Sequence, residues 1–469
     1  MPDDKLRNIP LEQIDRDTGI HPMTQMGAFS RGELGDPRII ETASGIRIRD
    51  SKGKEMIDAF AGLYCVNIGY GQTRVADAIA EQAHKLAYYH VYAGHSHEPV
   101  IRLSEKIIEL APEGMSRVYY GLSGSDANET QAKLVWYYHN VRGKPEKKKI
   151  ISRHRGYHGS SVMAGSLTGL PIFHKMFDLP LDMVRHTTAP HHYWEAAPGM
   201  SERDFSKKCA ADLEAMIQAE GPETVGAFIA EPMLGTGGIV PPPEGYWDEI
   251  QPVLNKHDIL LIADEVVCGF GRLGSNFGSQ HYNMKPDLMS VAKGLTSAYL
   301  PLSGCIVGDR VWKAIEEGSD ELGVFNHGWT YSAHPICAAA AIANLEIIEE
   351  QNLTENAATT GAHFIKGLKD AFAGHSHLAE VRGEGLLAAV EFVADPGSKK
   401  PFEKSQKVAA KLAMACADEG VICRAMPHGD VLGFAPPLIL TPAEADEIVD
   451  KVSRGVKKGF DRLIADGVI

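Results

Sequence analysis

Three apolar runs in the middle of the chain each end on an ionisable residue: residues 225–230 run into Glu231, residues 259–263 into Asp264, and residues 288–292 into Lys293. Short apolar runs bounded by Gly and Pro signals read as strands buried on both faces. Their spacing, with helical or loop segments between them, is the rhythm of β-α units in a parallel sheet. The ligand crevice of such a sheet opens at the carboxyl ends of its strands. A charge placed there without a partner is costly, so an acid and an amine at neighbouring strand ends predict a site.

At 469 residues and 44% hydrophobic content, the chain can bury a large core in two or three domains. Its formal charge of −14 disfavours a nucleic-acid binder, which needs a basic face. The one dense basic run, residues 147–149, is expected to be a solvated loop. The opening MPDDKLRNIP lacks a leader pattern, and no stretch approaches the roughly 20 apolar residues of a membrane span. A cytoplasmic protein is therefore expected. The 7 cysteines are scattered without a C-x-x-C pair, so neither a disulfide framework nor a zinc site is indicated.

The segment up to about residue 38 reads as an arm lying across another surface, and residues 46–58 as a hairpin about Asp50-Ser51-Lys52-Gly53. The Gly-rich apolar segment 60–71 is either a loop packed on the core or one wall of a pocket. Helical periodicity covers residues 73–90 and 99–110. A strand at 117–120 then runs through Gly121-Leu122-Ser123-Gly124-Ser125-Asp126 into a helix over 127–141. A strand, a Gly/Ser turn and a helix start form an anion cradle, because free N–H groups and the helix dipole face the ligand. The same turn also serves as a plain cap, and the G-x-G-x-x-G spacing is missing.

After a strand at 149–152 comes Arg153-His154-Arg155-Gly156-Tyr157-His158-Gly159. His154 and His158 have the spacing of two metal ligands on a helix, but the glycines argue against a helix, and no metal is expected. Tyr157 is either a core tyrosine or an aromatic face for a planar ligand. Past Lys293 come a strand at 304–307, helices at 311–317, 336–350 and 354–373, and between them Phe325-Asn326-His327-Gly328-Trp329-Thr330-Tyr331-Ser332-Ala333-His334-Pro335. From residue 381 onward, strands at 386–393, 421–424 and 431–435 with helices at 404–418 and 442–463 read as a small α/β domain.

One cofactor wants a lysine, a carboxylate, an anion cradle and an aromatic face at parallel strand ends. Pyridoxal phosphate needs an amine for its aldehyde, an acid for its pyridine nitrogen and N–H donors for its phosphate. The runs LIADEVVCGFGRLG and PDLMSVAKGLTSAYLPL, with SGSDANET, GYHG, AEP and HGWTYSAHP, closely resemble the class III, fold-type I aminotransferases, in particular the ω-amino acid and amine:pyruvate branch. The resemblance spans about residues 45–463. It implies an α/β fold: a large domain with a mostly parallel central sheet flanked by helices, and a smaller α/β domain built from the chain ends. The corresponding boundaries are 1–75 for the arm and hairpin, 76–345 for the large domain, and 346–469 for the small one.

The resemblance also implies roles. Lys293 would form the Schiff base and shuttle the proton, Asp264 would pair with the ring nitrogen, and Tyr157 would stack on the ring with Val266 on its other face. Glu231 would lie near the ring's phenolic oxygen, and Ser123, Gly124 and Ser125 would hold the phosphate. Thr330 would reach the phosphate of a neighbouring subunit in a homodimer, or in a tetramer of paired dimers. Arg424 would bind the substrate carboxylate and swing away from substrates without one.

The substrate wall is expected from Tyr64, Tyr92, His154 and Trp329, where the chain departs from the family pattern towards polarity; Ala93 and Ala333 are further departures. Small or polar amines are then favoured over bulky aryl ones. The turn at 425–430 looks longer than the family's, which affects the geometry of any swing by Arg424. The implied reaction moves an amino group from an ω-amino acid or primary amine to pyruvate, giving alanine. An aminomutase or decarboxylating transaminase would use the same fold. A non-catalytic cofactor-binding module is the alternative from another class, and the intact set of Lys293, Asp264 and Thr330 argues against it.

Overall fold

The computed structural model describes residues 9–469. The start of the sequence, on which the absence of a leader pattern was read, lies outside the described residues. Three strands come first, β1 (Ile40–Ser44), β2 (Arg47–Asp50) and β3 (Glu55–Asp58). The middle of the chain contributes β4 (Met115–Gly121), β5 (Lys149–Arg153), β6 (Val184–Thr187), β7 (Val225–Ala230), β8 (Leu260–Asp264), β9 (Leu288–Val291) and β10 (Ser303–Gly308). The last part adds β11 (Leu378–Glu384), β12 (Leu387–Phe392), β13 (Val421–Ile422), β14 (Arg424–Ala425) and β15 (Asp430–Phe434).

The central sheet has the order β4-β10-β9-β8-β7-β5-β6. Its neighbours from β9 to β6 pair in parallel, and only β10 runs antiparallel to both β9 and β4. A parallel neighbour needs a crossover of a dozen or more residues, usually a helix. The link from β9 to β10 contains only the short turn Lys293–Leu295, so β10 returns antiparallel.

Every residue of β7, β8 and β9 is buried. Side chains alternate across a strand, and the core divides accordingly. Phe228, Ala230, Leu261 and Ala263 pack with Phe205, Leu213, Tyr246 and Ile250 of the helices Glu202–Glu220 and Tyr246–Lys256. Ala227, Ile229, Leu260 and Ile262 pack with Ala132 and Val135 of the helix Gly124–Val141. Apolar cover on both faces explains why these strands read as continuous hydrophobic runs.

Two four-stranded sheets flank this layer. One has the order β1-β2-β3-β13, with Val421 paired in parallel to Ile57, so the chain's end completes a sheet begun near its start. The other, β11-β12-β15-β14, is antiparallel. The strand expected over 421–424 is split: residues 421–422 pair with β3, while Arg424 pairs with Gly433 of β15. The chain crosses between the two small sheets there, which puts Arg424 at their junction.

Three further expectations are corrected. The helix from Thr73 stops at Lys85, where Leu86 turns extended and the Gln82 side chain takes up its carbonyl at 3.0 Å. The segment before residue 38 is not only an arm; it includes the helix Leu11–Thr18. The basic run is not a solvated loop. Lys147 is 5% exposed and its Nζ donates to the carbonyls of Val225 (2.9 Å), His257 (2.9 Å) and Asp258 (3.2 Å), while Lys149 begins β5 and pairs with Glu220. A lysine is tolerated there because carbonyls at strand and helix ends need donors. Among the described residues no helix is long and apolar enough to cross a membrane.

Candidate active site

Because β7, β8 and β9 are parallel neighbours, their carboxyl ends bring Glu231, Asp264 and Lys293 side by side. All three line one cavity of about 600 Å³ together with Tyr64, Ser123, Gly124, Ser125, Tyr157, Val266 and Arg424. Ten of the residues expected from sequence thus meet at one place.

Asp264 is 2% exposed. Its Oδ2 accepts from Asn128 Nδ2 at 2.9 Å and pairs with His158 Nδ1 at 2.8 Å; its Oδ1 accepts from the N–H of Val266 at 3.2 Å. A carboxylate only accepts, so His158 carries its proton on Nδ1 in this pair. Ser290 Oγ donates to Asn128 Oδ1 at 2.7 Å, which fixes that amide with its NH₂ towards Asp264. An ionised carboxylate accepts about four hydrogen bonds. Three are met by the protein, which leaves capacity for one donor from the cavity.

Lys293 follows β9 at φ 43°, in the left-handed region that a lysine rarely adopts. Its half-buried side chain reaches into the cavity with Nζ 5.3 Å from the centroid of the Tyr64 ring. Among the described residues it has no ion-pair partner and no side-chain hydrogen bond. A strained backbone and an unpartnered amine suit a group meant to react with something else.

The helix Gly124–Val141 opens with a capping box: Ser123 Oγ accepts from the N–H of Asp126 at 3.2 Å, and Asp126 Oδ1 accepts from the N–H of Ser123 at 3.0 Å. Asp126 also accepts from the N–H of Leu122 at 2.8 Å and from Ser303 Oγ at 2.8 Å. Asp126 therefore fits this turn closely. The cap leaves the first-turn N–H groups of Gly124 and Ser125 free of intrahelical partners. A Cβ on Gly124 would come within 3.0 Å of Val266 Cγ2, so glycine is required for the helix start to approach β8.

Glu231 is 2% exposed, and burial raises its carboxyl above the ordinary value against the opposing pull of His158. It accepts from the N–H of Tyr157 at 3.1 Å and from that of Gly235 at 2.8 Å. It thereby ties the Tyr157 segment to the loop that carries Thr236 into the cavity wall. Tyr64 is 2% exposed at φ 63°, and burial raises its phenol well above the usual range. Arg424 lies with its guanidinium 5.7 Å from the centroid of Phe60. The segment 60–71 is therefore both core packing and cavity wall.

The cavity does not receive every expected residue from its own chain. His154 lies outside it, a correction with a simple cause: its N–H donates to the carbonyl of Thr187 at 2.8 Å, continuing the ladder past β5, and its ring turns to His186, with centroids 5.7 Å apart. Tyr92 instead lines a hollow of about 440 Å³ with His327 and Gly328. Trp329 Nε1 donates to Thr130 Oγ1 at 3.2 Å, and the carbonyl of Thr330 accepts from the Tyr88 hydroxyl at 2.5 Å. None of these three residues lines the cavity that holds Lys293.

Sequence reasoning missed His158 and Asn128 as partners of Asp264, and Thr236, Pro22 and Met23 as cavity lining. Asn128 lies one turn after Gly124 on the same helix, which was a usable signal. His158 is visible in GYHG, but its spacing from His154 points only to a metal pair and not to Asp264.

The residues fit pyridoxal phosphate by the chemistry of the donor set: an unpartnered amine, a buried carboxylate with spare acceptor capacity, and a cradle of free N–H groups. A model of the family described as Aminotransferase class-III matches residues 28–456. A diaminobutyrate–2-oxoglutarate transaminase from Halomonas elongata is 60% identical over 460 residues, which is 97% of this chain and 98% of that protein. A solved structure from the directed evolution of transaminases by ancestral reconstruction has a TM-score of 0.95 at 65% identity, covering 97% of this chain and 99% of the other. The omega transaminase from Pseudomonas jessenii in complex with PMP has a TM-score of 0.94 at 43% identity, with coverage of 97% and 99%.

Proposed function

The chain belongs to the class III aminotransferases, and from that membership we propose that it carries an amino group from an ω-amino acid or primary amine to pyruvate, giving alanine, in two half-reactions. It is a pyridoxal-phosphate-dependent aminotransferase of fold-type I. The bound cofactor supplies a carbonyl that condenses with amines and a conjugated ring that spreads negative charge from the substrate carbon.

In this proposal the N–H groups of Gly124 and Ser125, with the Ser123 and Ser125 hydroxyls, hold the phosphate at the helix start. Tyr157 and Val266 hold the ring from its two faces. Asp264, fixed by Asn128 and His158, keeps a negative charge opposite the ring nitrogen, and Glu231 lies on the ring's phenolic side. Lys293 would carry a proton between the substrate carbon and the cofactor's aldehyde carbon in each half-reaction, a role worth roughly 10²- to 10⁴-fold in rate. Arg424 binds the carboxylate of the acceptor, and Tyr64 lines the space beside it.

One observation carries the choice of acceptor. Among the described residues Lys293 and Arg424 are the only lysine and arginine lining the cavity, and Lys293 is engaged in the chemistry. A single guanidinium matches the one carboxylate of pyruvate. The second carboxylate of 2-oxoglutarate would enter without a cation from this chain, and burying an unpaired charge is costly. Thr330, Tyr92 and Trp329 are proposed to serve the site of a second copy in a homodimer, since none of them lines the cavity of its own chain. The test is a panel of amine donors offered with pyruvate or with 2-oxoglutarate, scored for alanine and glutamate. Alanine formation supports the reading. Glutamate alone would replace pyruvate with a dicarboxylate acceptor, as the name of the Halomonas relative suggests for that protein.

A further inference from the structure

Behind the substrate end of the cavity lies a buried ionic cluster that the chemistry above does not use. Arg382 of β11 is 8% exposed. Its Nη1 donates to Glu380 Oε1 and to Glu391 Oε2, each at 2.5 Å, while its Nη2 donates to the carbonyl of Gly238 at 2.6 Å and its Nε to that of Ile239 at 2.9 Å. From the other side, Arg155 Nε donates to the carbonyl of Gly237 at 2.9 Å, and its Nη1 abuts His191. His191 Nε2 meets Glu380 at 3.1 Å, and Trp194 Nε1 donates to Glu391 Oε1 at 2.7 Å.

His191, Glu380 and Glu391 are near enough to one another to share a metal ion. The Arg382 guanidinium already lies against both carboxylates, however, and two arginines balance two acids. The cluster is filled by its own cations, which turns attention from ligation to what it grips.

It grips three cavity walls at once. Arg155 stands two residues before Tyr157. Gly237 and Gly238 follow Thr236 directly, and their strand of chain is threaded between the two guanidiniums: a Cβ on Gly238 would fall 3.0 Å from Arg155 Nη2 and 3.3 Å from Arg382 Nη2. The turn that returns from Arg424 to β15 passes over Glu391, where a Cβ on Gly429 would lie 3.2 Å from Oε1. Arg382 and Glu391 belong to the small antiparallel sheet that also holds Arg424, whereas the gripped loop belongs to the large one.

We propose that Arg382 is a positioning residue for substrate recognition: through Gly238 and Ile239 it holds Thr236, and through Glu391 it holds the turn after Arg424, so that the carboxylate end of the cavity keeps its width. The proposal rests on the carboxylate role given to Arg424 above. Arginine is needed because one planar fork serves two carboxylates and two carbonyls together, which a lysine ammonium cannot do.

The test is steady-state kinetics on the holoenzymes of Arg382→Gln, Arg382→Lys, Arg424→Ala and the double variant Arg382→Gln/Arg424→Ala, with pyruvate and with a primary amine that has no carboxylate. Arg382→Gln is expected to raise KM for pyruvate about 10-fold or more while the amine half-reaction changes by less than about twofold, since a 1 Å misplacement can cost on the order of 100-fold. Arg382→Lys should recover part of the loss. In the double variant the two pyruvate losses should fail to multiply, because Arg382 acts through the end of the cavity that Arg424 occupies. Equal losses on both substrates, or losses that multiply, overturn the proposal. Should Arg382→Gln not fold, Trp194→Phe removes one hydrogen bond to Glu391, and the absence of any pyruvate-selective KM change in it overturns the proposal as well. Failure of the underlying functional reading looks different: the unaltered protein would then form no alanine from any amine.

Discussion

Gly159, the last residue of GYHG, offers a direct measure of how tightly the phosphate cradle is built. It sits at φ +134°, and a Cβ there would fall 2.5 Å from Ser125 Oγ, 2.8 Å from Ala164 Cβ and 2.9 Å from Ser125 Cα. Ser125 Oγ accepts from the N–H of Ser160 at 3.0 Å, so the added methyl strikes the contact that joins this loop to the helix start. The backbone conformation alone costs an alanine about 1–3 kcal/mol. The clash adds about 1–3 kcal/mol, because Ser125 Cα and the helical Ala164 cannot rotate aside. Relaxation must then displace Ser125, whose N–H is proposed above to hold the phosphate. If about 1.4 kcal/mol of the strain is relieved only by moving that turn, cofactor affinity falls about 10-fold. The assay is a titration of the apoprotein with pyridoxal phosphate followed by its visible absorbance, paired with thermal melting of the apoprotein. Gly143→Ala is the control, since Gly143 has φ +67° but nothing within 4 Å of its added Cβ, and it reports the cost of a left-handed alanine free of any clash. The reasoning is refuted if Gly159→Ala melts no lower than Gly143→Ala and binds the cofactor as tightly as the unaltered protein.

Lys293→Ala should abolish turnover together with the absorbance band of the lysine-bound cofactor; steady-state transamination surviving the change would remove Lys293 from its role. Arg424→Ala should impair pyruvate far more than an amine donor without a carboxylate, and equal impairment of both would take the carboxylate role away from Arg424. Stability should fall on acidification. Burial pushes His139, His186 and His191 down to about 4 from an ordinary 6.5, so between those values the unfolded chain takes up protons that the folded one refuses. Glu265, pushed up to about 7 by its burial, opposes this by one proton between pH 7 and 4.5. The net expectation is a lower melting temperature at pH 5 than at pH 7, and a flat or rising profile towards acid would contradict it.

Much of the site was legible because its signals are local. Glu231, Asp264 and Lys293 each terminate or closely follow a strand buried on both faces, and such a strand announces itself as an unbroken apolar run. The Ser123–Asp126 turn is equally local, since a capping box is written within four consecutive residues. What could not be read were the partners: Asn128 stands 136 positions and His158 106 positions from Asp264, and only the sheet order brings them together. His154 escapes for the same reason, because nothing in the run from Arg153 to Gly159 tells which neighbouring strand its backbone will follow. Lys147 looked solvated because three lysines in a row usually are, and the carbonyls that bury it come from β7 and from the end of the helix Tyr246–Lys256.

By itself, then, the sequence determined the chemistry: a lysine, an acid and an N–H cradle at the ends of parallel strands, each written in a few adjacent residues through strand period, helix capping and glycine geometry. Tertiary structure decided the placement of those groups relative to the substrate. Arg424 becomes a cavity residue because the chain crosses between two small sheets at that point. Arg382 touches the loop beyond Glu231 although 143 or 144 positions separate the bonded groups. The physical reason is that backbone patterns are set by neighbours in the chain, whereas charges buried at a distance are paired only by how the layers pack.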